Sequence, residues 1–272
     1  ADGVRRNWYG EIVRKHWLDW HLNDWVKNVA GGVDPEQQAQ TFVDAGIQAV
    51  GLFCKDHFGN CVYPTEIGHR HPNLARDYVG DMTRALKARG LKVIAYYSVG
   101  ADRYTGLNHP EWQMRDGHGQ PRRGVWVQER GIGAAPCLNS PYTEQVMLPE
   151  ITEIARHYDV DGFLLDMATW EVDQACYCRY CREDFLRETG GKIPTDPADP
   201  RAFTYRRWRN RHNRAFERKV RLTLDGVRPG LLLGSNAAYS LCFPETPSED
   251  VDYLFRDPGQ LYPLTFSLWG RY

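Results

Sequence analysis

The stretch Val160-Asp161-Gly162-Phe163-Leu164-Leu165-Asp166 decides how this chain is read. Its apolar middle has the length of a buried strand, and a carboxylate stands near each end. In a barrel of parallel strands, an ionisable group that ends a strand lies at the mouth, where active sites gather. Asp166 therefore reads as catalytic rather than as a solvated strand end or a helix cap. Asp161, at the start of the same strand, falls at the opposite end and reads as structural.

Outward from this strand the pattern alternates. Upstream lie a helix over residues 141–157, a strand at 92–97, a helix at 74–88, a strand at 49–53 and a helix over 34–45. Asp34-Pro35-Glu36 opens that last helix with a cap and a proline in its first turn. A first strand is expected at 17–22. Downstream, helices span 182–227, a fifth strand falls at 231–234 and a weaker sixth at 251–255. Such alternation belongs to an α/β fold with a parallel sheet. No glycine-rich phosphate loop follows the first strand, and polar residues gather after several strands. Both observations favour a (β/α)8 TIM-barrel type over a doubly wound sheet.

Six strands are clear, and residues 264–272 read as a seventh strand or as the opening of a helix. The barrel is thus expected to be incomplete at its C-terminal end, as one catalytic domain over residues 1–272, truncated or covered by a partner. The segment 55–72 reads as a long polar loop.

Composition excludes several classes. Formal net charge is -1, which argues against a nucleic-acid surface, and Arg206, Arg207, Arg209, Arg211 and Arg214 read as the solvated face of a helix. No apolar run approaches the roughly 18 residues of a membrane span. The chain opens Ala-Asp-Gly with no apolar signal segment, which points to the cytoplasm and leaves room for a leader already removed.

Hydrolysis of a glycosidic bond usually takes two carboxyl groups, one to attack or activate water and one to protonate the leaving oxygen. For the second group Asp257 ranks first, because it follows the sixth strand, and Glu249 second; Glu171 and Glu245 also follow strands. Residues at other strand ends form a candidate sugar pocket: His21, Asp24, Lys55, His57, Tyr97, Trp170 and Asn236.

Cys176-Tyr177-Cys178-Arg179-Tyr180-Cys181 places three thiols within six residues. Disulfides between such near neighbours are strained, whereas three thiolates and a fourth ligand suit a closed, structural zinc site.

Several motifs resemble known families. Lys55-Asp56-His57-Phe58-Gly59, Arg76-Asp77-Tyr78-Val79 and Gly90 through Ser98 are similar to the α-L-fucosidases. Their second strand ends in Lys-His-His-Asp-Gly-Phe and their third in Gly-x-Tyr-Tyr-Ser. The resemblance implies Asp166 as nucleophile and His57 as a sugar-binding histidine, while Asp56 and Phe58 depart from the motif. Pro136 through Tyr142, together with the cysteine run, resembles the zinc cluster of family 42 β-galactosidases, which implies Cys137 as the fourth ligand. Those enzymes end strand four in Asn-Glu, where this chain has Leu165-Asp166-Met167. From about Asp19 to Asn236 the pattern resembles the hypothetical glycosyl hydrolases related to the α-L-fucosidases of families 29 and 151. A retaining, exo-acting α-L-fucosidase is the implied activity, with an oligosaccharide or glycoside as the expected partner and a homo-oligomer allowed. The alternatives are a β-galactosidase-like hydrolase with Asp166 as acid/base and a non-catalytic carbohydrate-binding barrel.

Overall fold

The computed structural model describes residues 7–122, 135–167, 176–196, 198–236 and 248–255. Strands β1 (Lys15–Trp17), β2 (Ala49–Lys55), β3 (Asn60–Cys61), β4 (His69–Arg70), β5 (Lys92–Ser98), β6 (Gly162–Asp166), β7 (Leu232–Asn236) and β8 (Tyr253–Phe255) make one sheet. Within it β1, β2, β5, β6, β7 and β8 run parallel in that order. The two short strands attach to β2, β3 antiparallel to it and β4 parallel to β3. Helices α1 (Pro35–Asp44), α2 (Tyr78–Ala88), α3 (Arg103–Asn108), α4 (Leu148–His157), α5 (Arg179–Thr189) and α6 (Arg201–Val227) lie between strands in the chain.

Each predicted parallel strand is present, with shifts that have local causes. The first moves from 17–22 to Lys15–Trp17, because the chain beyond Leu18 turns over the mouth to hand the Leu22 amide to Asp56 at 2.7 Å. The predicted polar loop at 55–72 holds β3 and β4, whose Asn60 and Cys61 are fully buried. Helix α2 starts late, at Tyr78, where Asp77 caps the amide of Gly80 at 2.9 Å. The helix expected over 141–157 opens as a π-helical turn, Thr143–Met147. Pro149 lacks the N–H that would bond four residues back, which accounts for the widened turn. The arginine run on α6 is not wholly solvated: Arg209 is buried.

Strand alternation divides the core. Val50, Leu52, Val93, Ala95, Phe163, Leu165 and Leu233 face outward and pack on α1, α2, α4 and α6. Phe53, Ile94, Tyr96, Leu164, Leu232 and Tyr253 face inward, joined by Trp17, Trp20 and Phe255. Glycine makes room for the inner rings: a Cβ at Gly51 would lie 1.9 Å from the Trp17 ring, and one at Gly234 would lie 2.2 Å from the Tyr253 ring. The sheet curls, so that side chains of its outer strands meet. Trp17 of β1 and Phe255 of β8 lie 4.8 Å apart between ring centroids, and Tyr9 stacks on Tyr253 at 3.8 Å. Among the described residues no hydrogen-bonded ladder joins β1 to β8. The architecture is a parallel α/β sheet of TIM-barrel-like form. No helix among these residues is long and apolar enough to cross a membrane.

At the end where strands begin, Asp161 pairs with Lys87 at 2.8 Å and Lys92 at 2.9 Å and accepts the Val93 amide at 2.9 Å. It staples α2 and β5 to β6, far along the strand from Asp166.

Candidate active site

The register of the sheet sets Ser98 opposite Asp166, and Asn236 follows Ser235, which pairs with Leu165. All three end their strands on the inward face, two residues beyond Tyr96, Leu164 and Gly234. Asp166 is buried, with 8% of its surface exposed. Its Oδ1 accepts from Asn236 Nδ2 at 2.6 Å and from the Met167 amide at 2.9 Å. Oδ2 accepts from the Tyr96 hydroxyl and faces His57 Nε2 at 3.6 Å. Burial and the neighbouring carboxylate push the Tyr96 phenol well above its ordinary range, so it remains a donor. Met167 has φ 55°, a left-handed conformation that costs a non-glycine residue roughly 1 kcal/mol or more.

Two histidines close one side. The rings of His21 and His57 stack at 4.0 Å. Asp56 holds them there, accepting the amides of Leu22, Phe58 and Asn60 at 2.7–2.9 Å and so pinning the loop after β1 to the turn after β2. Burial pushes the Asp56 carboxyl up to about 7, against the pull of those three amides.

Of the residues singled out from the sequence, the structure gathers Asp166, His57, His21 and Asn236. Asp24 is exposed and accepts from Asn60 Nδ2 at 2.9 Å, at the rim. Lys55 and Tyr97 point to the other face of the sheet. There Lys55 Nζ, almost fully buried, meets Asp102 at 2.6 Å, Glu150 at 2.8 Å and the Tyr97 hydroxyl at 3.1 Å. The two carboxylates hold the ammonium well above its ordinary pKa despite burial, which pulls the other way. Glu249 is exposed in the segment leading into β8, and no described contact links it to Asp166. Trp170 and Asp257, like Glu171 and Glu245, lie outside the described residues. Tyr96 and the Met167 amide were not singled out from the sequence. Tyr96 could have been found by counting back two residues from Ser98, which sits level with Asp166.

A second hydrophobic cluster surrounds the cysteines: Met114, Phe185, Ile193, Tyr205 and Trp208 enclose Cys137, Cys176, Cys178 and Cys181. The four sulfurs lie within 4.8 Å of one another, with Cys137 and Cys181 at 3.5 Å. A tetrahedron of thiolates about 2.3 Å from a central zinc has its sulfurs roughly 3.8 Å apart, so this set fits a metal ion. Arg209, buried against the Tyr205 ring, carries a positive charge toward Cys176 and Cys181. Asn139 Nδ2 donates to Cys181 Sγ at 3.5 Å.

Residues 34–167 match the family model described as Hypothetical glycosyl hydrolase 6. The resemblance seen in the sequence is thereby supported from outside it. Among solved structures, α-L-fucosidase isoenzyme 2 from Paenibacillus thiaminolyticus is 25% identical with a TM-score of 0.70, over 83% of this chain and 32% of that one. A β-galactosidase from the psychrophilic Marinomonas ef1 shares the fold at 16% identity and a TM-score of 0.55, over 82% of this chain and 37% of that one. A hypothetical protein from Ruminiclostridium thermocellum does so at 15% and 0.52, over 78% of this chain and 96% of that one. The chain spans about a third of the length of the fucosidase it matches. No curated protein sequence matches it. The chain is similar in fold to glycoside hydrolases.

Proposed function

We propose that this chain carries the catalytic barrel of a retaining, exo-acting α-L-fucosidase, with Asp166 as nucleophile. The observation that carries the reading is the setting of Asp166. One oxygen is fixed by Asn236 and the Met167 amide, while the other is turned toward Tyr96 and His57 at the mouth end of the inner face. A nucleophile needs its attacking oxygen held in place before substrate arrives, and such a cradle does this. The likeness to the Paenibacillus fucosidase supports the choice of sugar.

In the reaction Asp166 attacks the anomeric carbon to give a glycosyl-enzyme, and a second carboxyl group protonates the leaving oxygen and then activates water. Asp257 is the better candidate for that group, because it follows β8 and parallel strands place the mouth after their ends. Glu249 precedes β8. His21, His57 and Asn236 would bind sugar hydroxyls around the nucleophile. Cys137, Cys176, Cys178 and Cys181 would hold a structural zinc, which fixes the loops around it and leaves no open position for water.

A panel of nitrophenyl glycosides tests the assignment. Turnover of the α-L-fucoside supports it. Preferential turnover of the β-galactoside would instead favour Asp166 as acid/base, and sugar binding without any turnover would favour a non-catalytic barrel.

A further inference from the structure

The hydroxyl of Ser98 has one proton to give, and two neighbours fix where it goes. Ser98 Oγ lies 2.6 Å from the carbonyl oxygen of Ala101, which can only accept, and 2.7 Å from His57 Nδ1. The hydroxyl proton goes to Ala101, so Ser98 accepts from His57, and His57 must carry hydrogen on Nδ1. His21 is fixed in the opposite sense. Its Nδ1 lies 3.3 Å from the His57 amide, which can only donate, and its Nε2 lies 3.3 Å from Asp19 Oδ1. His21 therefore keeps Nδ1 bare and carries hydrogen on Nε2.

We propose that Ser98 is a positioning residue that holds the stacked histidines in opposite tautomers, so that the nitrogen of His57 at which a proton is gained or lost is Nε2, which faces Asp166. Uncharged, Nε2 carries its lone pair on the side that faces Asp166. Charged, it donates toward Asp166 Oδ2 at 3.6 Å. The turn bearing Ala101 is itself anchored from behind the sheet. Asp102, the next residue, accepts the Thr105 amide at 2.8 Å and Lys55 Nζ at 2.6 Å. Among the described residues, the ionisable groups around the pair include Asp166 on β6, Tyr96 on β5, Asp19 in the loop after β1 and Asp56 in the turn after β2.

This inference builds on the proposed role of the site, yet its test does not need the reaction. Protein labelled with 15N-histidine is titrated from pH 5 to 9, and ring protonation is read from long-range 1H–15N correlations, with His57→Gln and His21→Gln assigning the signals. Protonated Nδ1 at His57 throughout, together with bare Nδ1 in neutral His21, is the expected result. A bare Nδ1 at His57 anywhere in that range overturns the proposal. Ser98→Ala adds a second arm: loss of the acceptor should allow the Nε2–H form of neutral His57 and shift its titration, and an unchanged His57 spectrum would also overturn the proposal. If the tautomers are as stated while no fucoside is turned over, the assignment of the reaction fails and this inference stands.

Discussion

The Tyr96 hydroxyl donates to Oδ2 of Asp166, the oxygen that also faces His57. The ring below that hydroxyl stacks on Phe53 at 3.6 Å, an inner-face contact that does not involve the oxygen. Position and charge are thus separable at Tyr96. Tyr96→Phe keeps the stacked ring and removes one hydrogen bond to a carboxylate, an interaction of about 1.5–3 kcal/mol. Turnover should fall by roughly ten- to hundredfold, with the melting temperature lowered by only several degrees and the fold retained. Steady-state kinetics beside a thermal melt checks this, and full activity would show that Tyr96 does not steady the attacking group.

Lys55 gives the opposite separation. It sits behind the sheet between Asp102 and Glu150, and Lys55→Met would leave two buried carboxylates facing one another. Breaking a buried pair by removing one partner costs about 3–5 kcal/mol. The expected outcome is a clear loss of stability in urea. A variant of normal stability whose KM alone rises would return Lys55 to the sugar pocket, where its position at a strand end first suggested it.

That contrast shows what the sequence makes legible. Asp166, His57, His21 and Asn236 follow from one rule, polar residues at strand ends, and the fold assembles them. The same rule named Lys55 and Tyr97, which the sheet turns away. Tyr97 lies one residue off the inward alternation of Tyr96 and Ser98, and a one-residue offset changes the face. Lys55 would face inward by counting from Phe53, but the register shifts between those two residues, pairing Phe53 with Tyr96 and Lys55 with Tyr97. An irregularity of this kind arises from pairing with a neighbouring strand and leaves no mark in composition. The apolar strands of the centre are legible because burial on both faces makes them continuous. The two-residue strands β3 and β4 exist only through their partners.

Metal analysis of the purified protein should find about one zinc per chain, held by Cys137, Cys176, Cys178 and Cys181. Chelation should make all four thiols react together with an alkylating agent, since one ion protects them all. Cys181→Ser should lower the metal content and loosen the cluster of Tyr205, Trp208 and Phe185 packed on it. A folded protein without metal whose thiols alkylate one by one would remove zinc from the account.

Glu217 on α6 sets a pH dependence of stability. Burial pushes its carboxyl up to about 7. A carboxyl raised on folding favours the folded chain while protonated, so its contribution is present below about pH 4 and is lost as pH climbs toward 7. From the ordinary value of 4.5 this is on the order of 3 kcal/mol. Glu217→Gln should therefore gain stability over the parent at pH 8 and none at pH 4, measured as urea midpoints. An equal difference at both values would show that folding leaves the Glu217 carboxyl at its ordinary pKa.

The decisive substitution is at Asp166 itself. Asp166→Asn keeps the shape, and its carbonyl oxygen can still accept from Asn236 and the Met167 amide, so the fold and metal content should survive. What goes is the anionic oxygen facing Tyr96 and His57. Loss of a nucleophile commonly costs several orders of magnitude in rate, or roughly 4 kcal/mol and more of transition-state stabilisation. Azide then separates the two roles a carboxylate can have here. With Asp166→Ala, a small anion entering the space left by a nucleophile attacks the sugar from that face and yields a glycosyl azide of inverted configuration. Were Asp166 the acid/base, the true nucleophile would still form its intermediate, and azide would open it to the retained product. The expected product is the inverted azide. The retained product would give Asp166 the acid role and favour the galactosidase-like reaction, while near-normal turnover in both variants would move the chemistry to another carboxylate.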